Sequence, residues 1–401
     1  MSAQATEDVE TTFDTEDSTD DEDHLEAEDH LDAEDHLDAA QLAAAPAKYP
    51  WNGENLFANP RWAEKLEPTY IAFKSRGDDK NATKVRTLQK TGTFVWISHT
   101  NNLPDLDQAI KSALAKQNST GIKQMVGLVI YDIPGRDYSG GLSRGEFQPT
   151  KKGLKGYKDT YIKPLAKKVK AATALHFAII VEPDVMGNLI TQKDPEFVQK
   201  VAPFYERGTA FAIMSLQARN VRLYIDVANG GWLGWDSTLK PTAIKLAQIL
   251  RRAQKAAKKP VKIRGFSTNV SNFNPFNANP REPYTQNSNS WDESHYIESL
   301  VPHLRNAKLP VRFIVDQSRV ALPGARREWK EFANVYPAKF GMRPGTAVDN
   351  EFVDSIVWVK PPGESDGTGA GTERGYMYPN APPAGVWFPQ YVEMMVNSSN
   401  F

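Results

Sequence analysis

Carboxylates recur at one kind of place in this chain, just beyond a short run of aliphatic or β-branched residues. VGLVIYD ends at Asp132 with Asp137 just past it, FAIIVEPD ends at Glu182 and Asp184, VRLYID at Asp226 and RFIVD at Asp316. IVWVKPPGESD passes Lys360 before reaching Glu364 and Asp366, and VKIRGFSTN is a polar variant that carries Arg264 to Asn269. Acidic groups gathered at one mouth suit acid-catalysed hydrolysis of a glycosidic bond. One carboxyl protonates the leaving oxygen, and another handles water or the anomeric carbon. Pro183 stiffens the turn that aims Asp184. Asp137, beside Arg136 on a glycine-rich loop, is an anionic neighbour suited to keeping Asp184 protonated. Taken singly, each Asp also has a plainer reading, as the end of a strand or the cap of the next helix.

The apolar runs are bounded by turn residues and separated by helix-length stretches, a pattern that predicts buried parallel strands. Strands are expected at 92–98, at 125–131, in the runs closing at Glu182 and Asp226, and at 261–266, 311–315 and 354–359. Helices are expected at 104–116, 154–171, 194–218, 239–258, 292–306, 325–335 and 387–397. Three long loops stand out: GRDYSGGLSRGE (135–146), an Asn-rich stretch (267–290) and the last loop (361–385). Strands alternating with helices indicate an α/β fold with a parallel β/α barrel, its active site at the C-terminal strand ends. Seven strands, one short of the usual eight, point to a distorted or incompletely closed barrel.

The chain of 401 residues is long enough for one large α/β domain. Its net charge of −1 hides an asymmetry, because residues 1–40 hold 17 acidic and no basic side chains. The remainder carries 48 basic against 32 acidic residues, a charge near +16. Lys and Arg are dispersed along the predicted helices, which argues against a nucleic-acid function. Residues 1–45 read as a disordered acidic tail in which EDHLEA–EDHLDA–EDHLDA (22–39) repeats one hexapeptide. Its His24, His30 and His36 are a weak metal-binding alternative to a solvated tail. Residues 46–401 are expected to form the catalytic barrel domain. No 18-residue apolar run is present, so no membrane span is expected. The absence of cysteine excludes disulfide and thiol chemistry, and the N-terminus carries no visible secretory signal.

Trp96, Trp232 and Trp235 offer indole faces on which sugar rings stack. The Gly-Gly pair before Trp232 favours a loop facing the site over a buried core position. Seven segments then carry a specific resemblance: YDIPGRDYSGGLSRGE (131–146), IVEPDVMGNLIT (180–191), YIDVANGGWLGW (224–235), RGFSTNVSNF (264–273), IVDQSR (314–319), FGMRPG (340–345) and VWVKPPGESDGT (357–368). In order, over about 50–397, they resemble glycoside hydrolase family six, most closely its fungal cellobiohydrolase II-type members (exoglucanases). The resemblance implies a distorted seven-stranded barrel with an active-site tunnel. It also implies cleavage of β-1,4-glucan with inversion, releasing cellobiose from non-reducing ends of cellulose or cello-oligosaccharides, without metal or cofactor. Asp184 matches the general acid, Asp137 the carboxylate that keeps it protonated, and Asp366 the proposed base. Ser143 matches the serine that holds the water, and Tyr131 the tyrosine that distorts the sugar. Lys360 and Glu364 match groups bonding sugar hydroxyls, and Trp96 and Trp232 match stacking platforms. Asn229 and Asn269 join the substrate-binding set. The family implies an extracellular, monomeric enzyme.

Several positions depart from the pattern. Asn229 stands where many members carry histidine, and Phe332 where cellobiohydrolases often carry tryptophan. Tyr138, Ala333 and Ser365 occupy positions where loop-stapling cysteines are common. Unstapled loops leave endo-β-1,4-glucanase as the main alternative to exo attack, with a non-catalytic glucan-binding protein behind it. A metal-dependent hydrolase lacks a His-rich ligand set at the strand ends.

Overall fold

The computed structural model describes residue 51 and residues 53–367 and 377–400. The expected acidic tail, its hexapeptide repeat, the start of the barrel domain and part of the last loop (368–376) lie outside the described residues.

The described residues hold ten strands: β1 (Glu54–Leu56), β2 (Val95–Ile97), β3 (Lys123–Ile130), β4 (His176–Val181), β5 (Val221–Asp226), β6 (Gly265–Thr268), β7 (Phe313–Asp316), β8 (Val320–Ala321), β9 (Ala338–Lys339) and β10 (Val353–Val357). The main sheet runs β1-β3-β4-β5-β6-β7-β10, with β2 also paired to β3. Every ladder in it is parallel. β2–β7 and β10 are the seven anticipated strands. The short β1 sits on the first half of β3 and β2 on its second half. The two ends of the sheet meet where Phe94 N donates to Trp358 O (3.0 Å) and Trp96 Nε1 to Val359 O (2.8 Å). Closure through such sparse contacts, not a full ladder, is what distorts the barrel.

Both faces of the central strands are buried, which is why their sequences read as unbroken apolar runs. Alternation still sorts them. Met125, Val129, Ala178, Ile180, Tyr224, Ile314 and Val357 share one cluster with Phe94 and Tyr131. Their neighbours Val126, Leu128, Ile130, Phe177, Ile179, Leu223, Ile225, Phe313 and Val315 pack with the helices instead. The first set is the barrel interior, and period-2 alternation carries Tyr131, just past β3, onto the same face. Gly127 belongs there too, since a Cβ would lie 2.5 Å from the Phe94 ring.

Three expectations need correction. The stretch 325–335 forms turns, not a helix. Arg327 N donates to Glu331 Oε2 (2.5 Å) and Asn334 N to Asp366 Oδ2 (2.8 Å), so side-chain carboxylates take amides a helix would need. The helix expected at 194–218 ends earlier, at Ser215, and its regular part Ala202–Ser215 is entered through a π-turn at Phe197–Val201. Pro203, in the first turn of Ala202–Ser215, has no N–H to give to the turn before it. The sixth strand begins at Gly265, displaced toward the site from the expected 261–266. Helices Pro60–Ser75, Asp79–Leu88 and Val185–Thr191, the strand β1 and the antiparallel β8–β9 pair were not anticipated.

Candidate active site

Asp184 leads into the helix Val185–Thr191 with left-handed backbone (φ 70°) and makes no capping hydrogen bond. The plain reading of this residue as a helix cap therefore fails. Its backbone N–H donates to Asp226 Oδ2 (3.1 Å), and its Oδ2 accepts the Tyr131 hydroxyl (3.2 Å). Tyr131 OH lies 3.4 Å from Ser143 Oγ, which in turn donates to Asp137 Oδ2 (3.2 Å). Ser143 N donates to the same Asp137 oxygen (2.5 Å). Asp137, Ser143, Tyr131 and Asp184 thus form one continuous polar chain. Burial pushes Asp184 up to about 6, the negative charge of Asp137 adds to this, and the hydrogen bond from Tyr131 opposes it. The carboxyl is mostly protonated at mildly acidic pH, the state a proton donor needs.

Arg136 anchors the irregular loop that bears Asp137. Its guanidinium donates to the carbonyls of Ser98 (2.6 Å), Ser143 (2.6 Å), Arg144 (3.0 Å) and Tyr131, and it lies over the Tyr131 ring. Gly140 completes this geometry, because a Cβ there would stand 2.4 Å from Asp137 Oδ1. Its backbone is not left-handed, so alanine is allowed and the Asp137 carboxylate has to move. Gly140→Ala is expected to lower kcat by about 10–100-fold through misplacement alone. Melting should show a near-native Tm, separating this effect from unfolding.

Asp366 is held differently. Its Oδ2 accepts from Arg319 Nη1 (2.8 Å) and Asn334 N (2.8 Å), and Lys360 Nζ lies 3.7 Å from Oδ1. Asn334 also ties down the flanking residues, donating to Ser365 Oγ (3.2 Å) and Gly367 O (3.0 Å) while accepting from Asp366 N (2.9 Å). Arg319 is fully buried, over the Phe273 ring. Burial pushes the Lys360 ammonium below its ordinary range, with Asp366 opposing. Trp96 joins the two groups, its ring 5.5 Å edge-on from Tyr131 and 5.8 Å from Lys360 Nζ. Arg319 and Asn334 were missed from sequence. Both lie outside helices and strands, where no periodicity points to them, although IVDQSR contains the arginine.

The other expected residues divide. Trp232 is half-buried, donates to Thr191 Oγ1 (2.9 Å) and lies against Gly187, where a Cβ would meet the indole at 2.6 Å. Glu364 pairs with Lys65 (2.8 Å), and Phe332 is exposed. Asn229 Oδ1 is occupied as the cap of the short helix Gly230–Leu233, accepting from Gly231 N (3.0 Å). Asn269 requires correction. It is fully buried, and its amide is spent on Asn274 O (2.9 Å), Asp316 O (2.8 Å) and Asn274 N (3.2 Å), so the side chain has no access to a sugar. Tyr138 donates to Asp194, and Ser365 to Pro382 O (2.7 Å), so both make polar contacts with other segments.

The first carboxylate at the C-terminal ends of β4 and β7 is a loop clamp. Asp316 receives four backbone N–H groups, from Ser318, Val359, Ser271 and Lys360, at 2.9–3.1 Å. Glu182 receives those of Asp132 and Ile133 (3.0 Å each) and the Tyr157 hydroxyl (2.7 Å). Asp132, Glu182, Asp226 and Asp316 are all at most 1% exposed, whereas Asp137, Asp184 and Asp366 are half-buried. Burial drives Asp132 to about 9, Asp226 to about 8, and Glu182 and Glu293 to about 7. Each folded pKa lies above its unfolded value, so the native state binds more protons than the unfolded chain. Their stabilisation is complete below about pH 4 and is lost as pH rises toward about 9. Thermal melts should therefore give a Tm about 5–10 °C lower at pH 9 than at pH 5. A flat or rising Tm would contradict this.

Residues 51–399 match the family described as glycosyl hydrolases family 6. The chain is 49% identical to a 1,4-beta-D-glucan cellobiohydrolase CEL6B of Podospora anserina over 88% of its own length and 82% of that protein. It superposes on the endoglucanase CEL6B from Humicola insolens with a TM-score of 0.82 at 45% identity, covering 88% of this chain and 99% of that one. CcCel6C, a glycoside hydrolase family 6 enzyme from Coprinopsis cinerea, gives 0.84 at 38% identity, covering 88% and 98%. Seven parallel strands in this order, the polar chain from Asp137 to Asp184 at their C-terminal ends and a match over nearly the whole described body agree: the chain belongs to glycosyl hydrolases family 6.

Proposed function

We propose that this protein hydrolyses β-1,4-glucan with inversion, releasing cellobiose from non-reducing chain ends. The observation that carries the reading is the unbroken chain Asp137–Ser143–Tyr131–Asp184, ending at a carboxyl raised to about 6. In this mechanism Asp184 gives its proton to the glycosidic oxygen as the bond to the anomeric carbon breaks. Asp137 keeps Asp184 protonated beforehand and its negative charge favours the oxocarbenium-like transition state. Water, oriented by Ser143, adds to the opposite face of the sugar. Its proton passes to Asp366, directly or through a second water, and the cycle closes when Asp366 releases that proton to solvent and Asp184 takes one up. Tyr131, wedged between Trp96 and Asp184, crowds the sugar at the cleavage point. Trp96 and Trp232 stack sugar rings, while Lys360 and Glu364 bond hydroxyls. An insoluble polymer cannot enter a cell, which favours action outside it.

Endo cleavage is the second reading, favoured by the 46% identity to an Endoglucanase-6B of Humicola insolens. Carboxymethyl-cellulose viscosity followed together with reducing ends separates the two. Exo attack predicts reducing ends accumulating with little loss of viscosity and cellobiose dominating the products. An early viscosity collapse would favour the endo reading, and binding without release of reducing ends would leave a glucan-binding protein.

A further inference from the structure

The loop that carries Asp137 and the turn that carries Asp184 are joined through a residue outside the catalytic set. Asn188, on the helix Val185–Thr191, is 1% exposed. Its Nδ2 donates to the carbonyl oxygen of Asp184 (2.9 Å), and its Oδ1 accepts the hydroxyl of Ser139. The Ser139 oxygen accepts Gln192 Nε2 (2.6 Å). A carbonyl can only accept, which orients the Asn188 amide and makes the chain directional. It runs Gln192 N–H to Ser139 O–H to Asn188 Oδ1, then Asn188 N–H to Asp184 O. Beside it, Tyr138 donates to the Asp194 carboxylate and its ring packs 4.9 Å from Phe197. Two residues that directly follow Asp137 therefore dock on the segment that begins at Asp184.

We infer that Asn188 is a positioning residue that registers the Asp137 loop against the Asp184 turn and so sets the spacing of the two carboxylates. This rests on the reading of Asp184 as the general acid. The amide fits the task because it is buried and engages both segments at once. If the loop departs, a buried oxygen is left without its donor, so the closed register is favoured. Asn188 touches no reacting atom in the proposed mechanism. Its effect reaches the chemistry through the charge of Asp137, which adds to burial in holding the Asp184 proton.

The groups facing Asp184 are Asp137 on the loop, Tyr131 beyond β3 with Arg136 behind its ring, Asp226 at the end of β5, and Tyr205 on the helix Ala202–Ser215. Of the acidic groups among these, only Asp137 lies on the segment that Asn188 restrains through Ser139, and Arg136 beside it is pinned separately by the carbonyls of Ser98 and Tyr131. Loosening that segment moves a negative charge away from Asp184 and admits water, and both changes lower its pKa.

The test is a carbon-13 NMR titration of the Asp184 carboxyl in the full chain, in wild type, Asn188→Ala and Ser139→Ala. The expected result is a midpoint displaced in both variants from near 6 toward the ordinary aspartate value of about 4. The alkaline limb of kcat on cellotetraose should shift down with it, kcat should fall about tenfold and KM should change by less than about threefold. Ser139 is exposed, so Ser139→Ala remains decisive should Asn188→Ala not fold. A lower Tm with an unmoved midpoint and unmoved alkaline limb would overturn the inference. A displaced midpoint in a protein that cleaves no glucan would support the registering role while removing the reading of Asp184 as acid.

Discussion

Asp184→Asn is expected to lower kcat on cello-oligosaccharides by about 10²–10⁴-fold while leaving their binding nearly intact. The amide keeps the shape and can still accept the Tyr131 hydroxyl, but it has no proton of useful acidity to give. The loss should depend on the leaving group. β-Cellobiosyl fluoride departs without protonation, so the variant should retain far more of its activity on that substrate. The wild-type alkaline limb should lie near pH 6, where burial and Asp137 place the Asp184 pKa, and it should vanish in the variant. Equal losses on both substrates would mean that Asp184 acts through something other than proton donation.

Asp366→Ala is expected to affect stability and activity together. Arg319 is completely buried and Asp366 is its carboxylate partner at 2.8 Å. Removing the carboxylate strands a buried charge, which costs about 3–5 kcal/mol. It also removes the proposed acceptor of the water proton, lowering kcat by about 10²-fold or more. The double variant Asp366→Ala, Arg319→Met distinguishes the two effects. Replacing the pair with apolar atoms should recover most of the stability, measured by denaturant unfolding, and none of the activity. Recovery of activity along with stability would mean that Asp366 matters only as the partner of Arg319.

The barrel was legible in the sequence because parallel strands covered on both faces leave unbroken β-branched runs, as in β3, β4 and β5. The site was legible for a related reason, since residues just past such runs are carried to one mouth. Spacing did not reveal which of two successive carboxylates faces the groove. Both have positive φ, yet Asp184 meets the Tyr131 hydroxyl at the mouth while Glu182 two positions earlier turns back onto backbone amides. Asn269 misled because an Asn at a strand end looks the same whether it binds a ligand or, as here, two backbone carbonyls. Arg319, Asn334 and Asn188 act through contacts with segments distant in the chain, and no local pattern encodes those. The stretch 325–335 failed as a helix partly for that reason, Asp366 from another loop taking the Asn334 amide while Glu331 takes that of Arg327 locally.

The most direct test of the central claim is the anomeric form of the first product. Proton NMR during cellotetraose hydrolysis, with Asp184→Asn alongside, reads it before mutarotation blurs it. Attack of water on the face opposite the departing oxygen predicts α-cellobiose at the earliest times, lost in the variant. β-Cellobiose appearing first would require a covalent glycosyl intermediate and would contradict the roles given to Asp184 and Asp366.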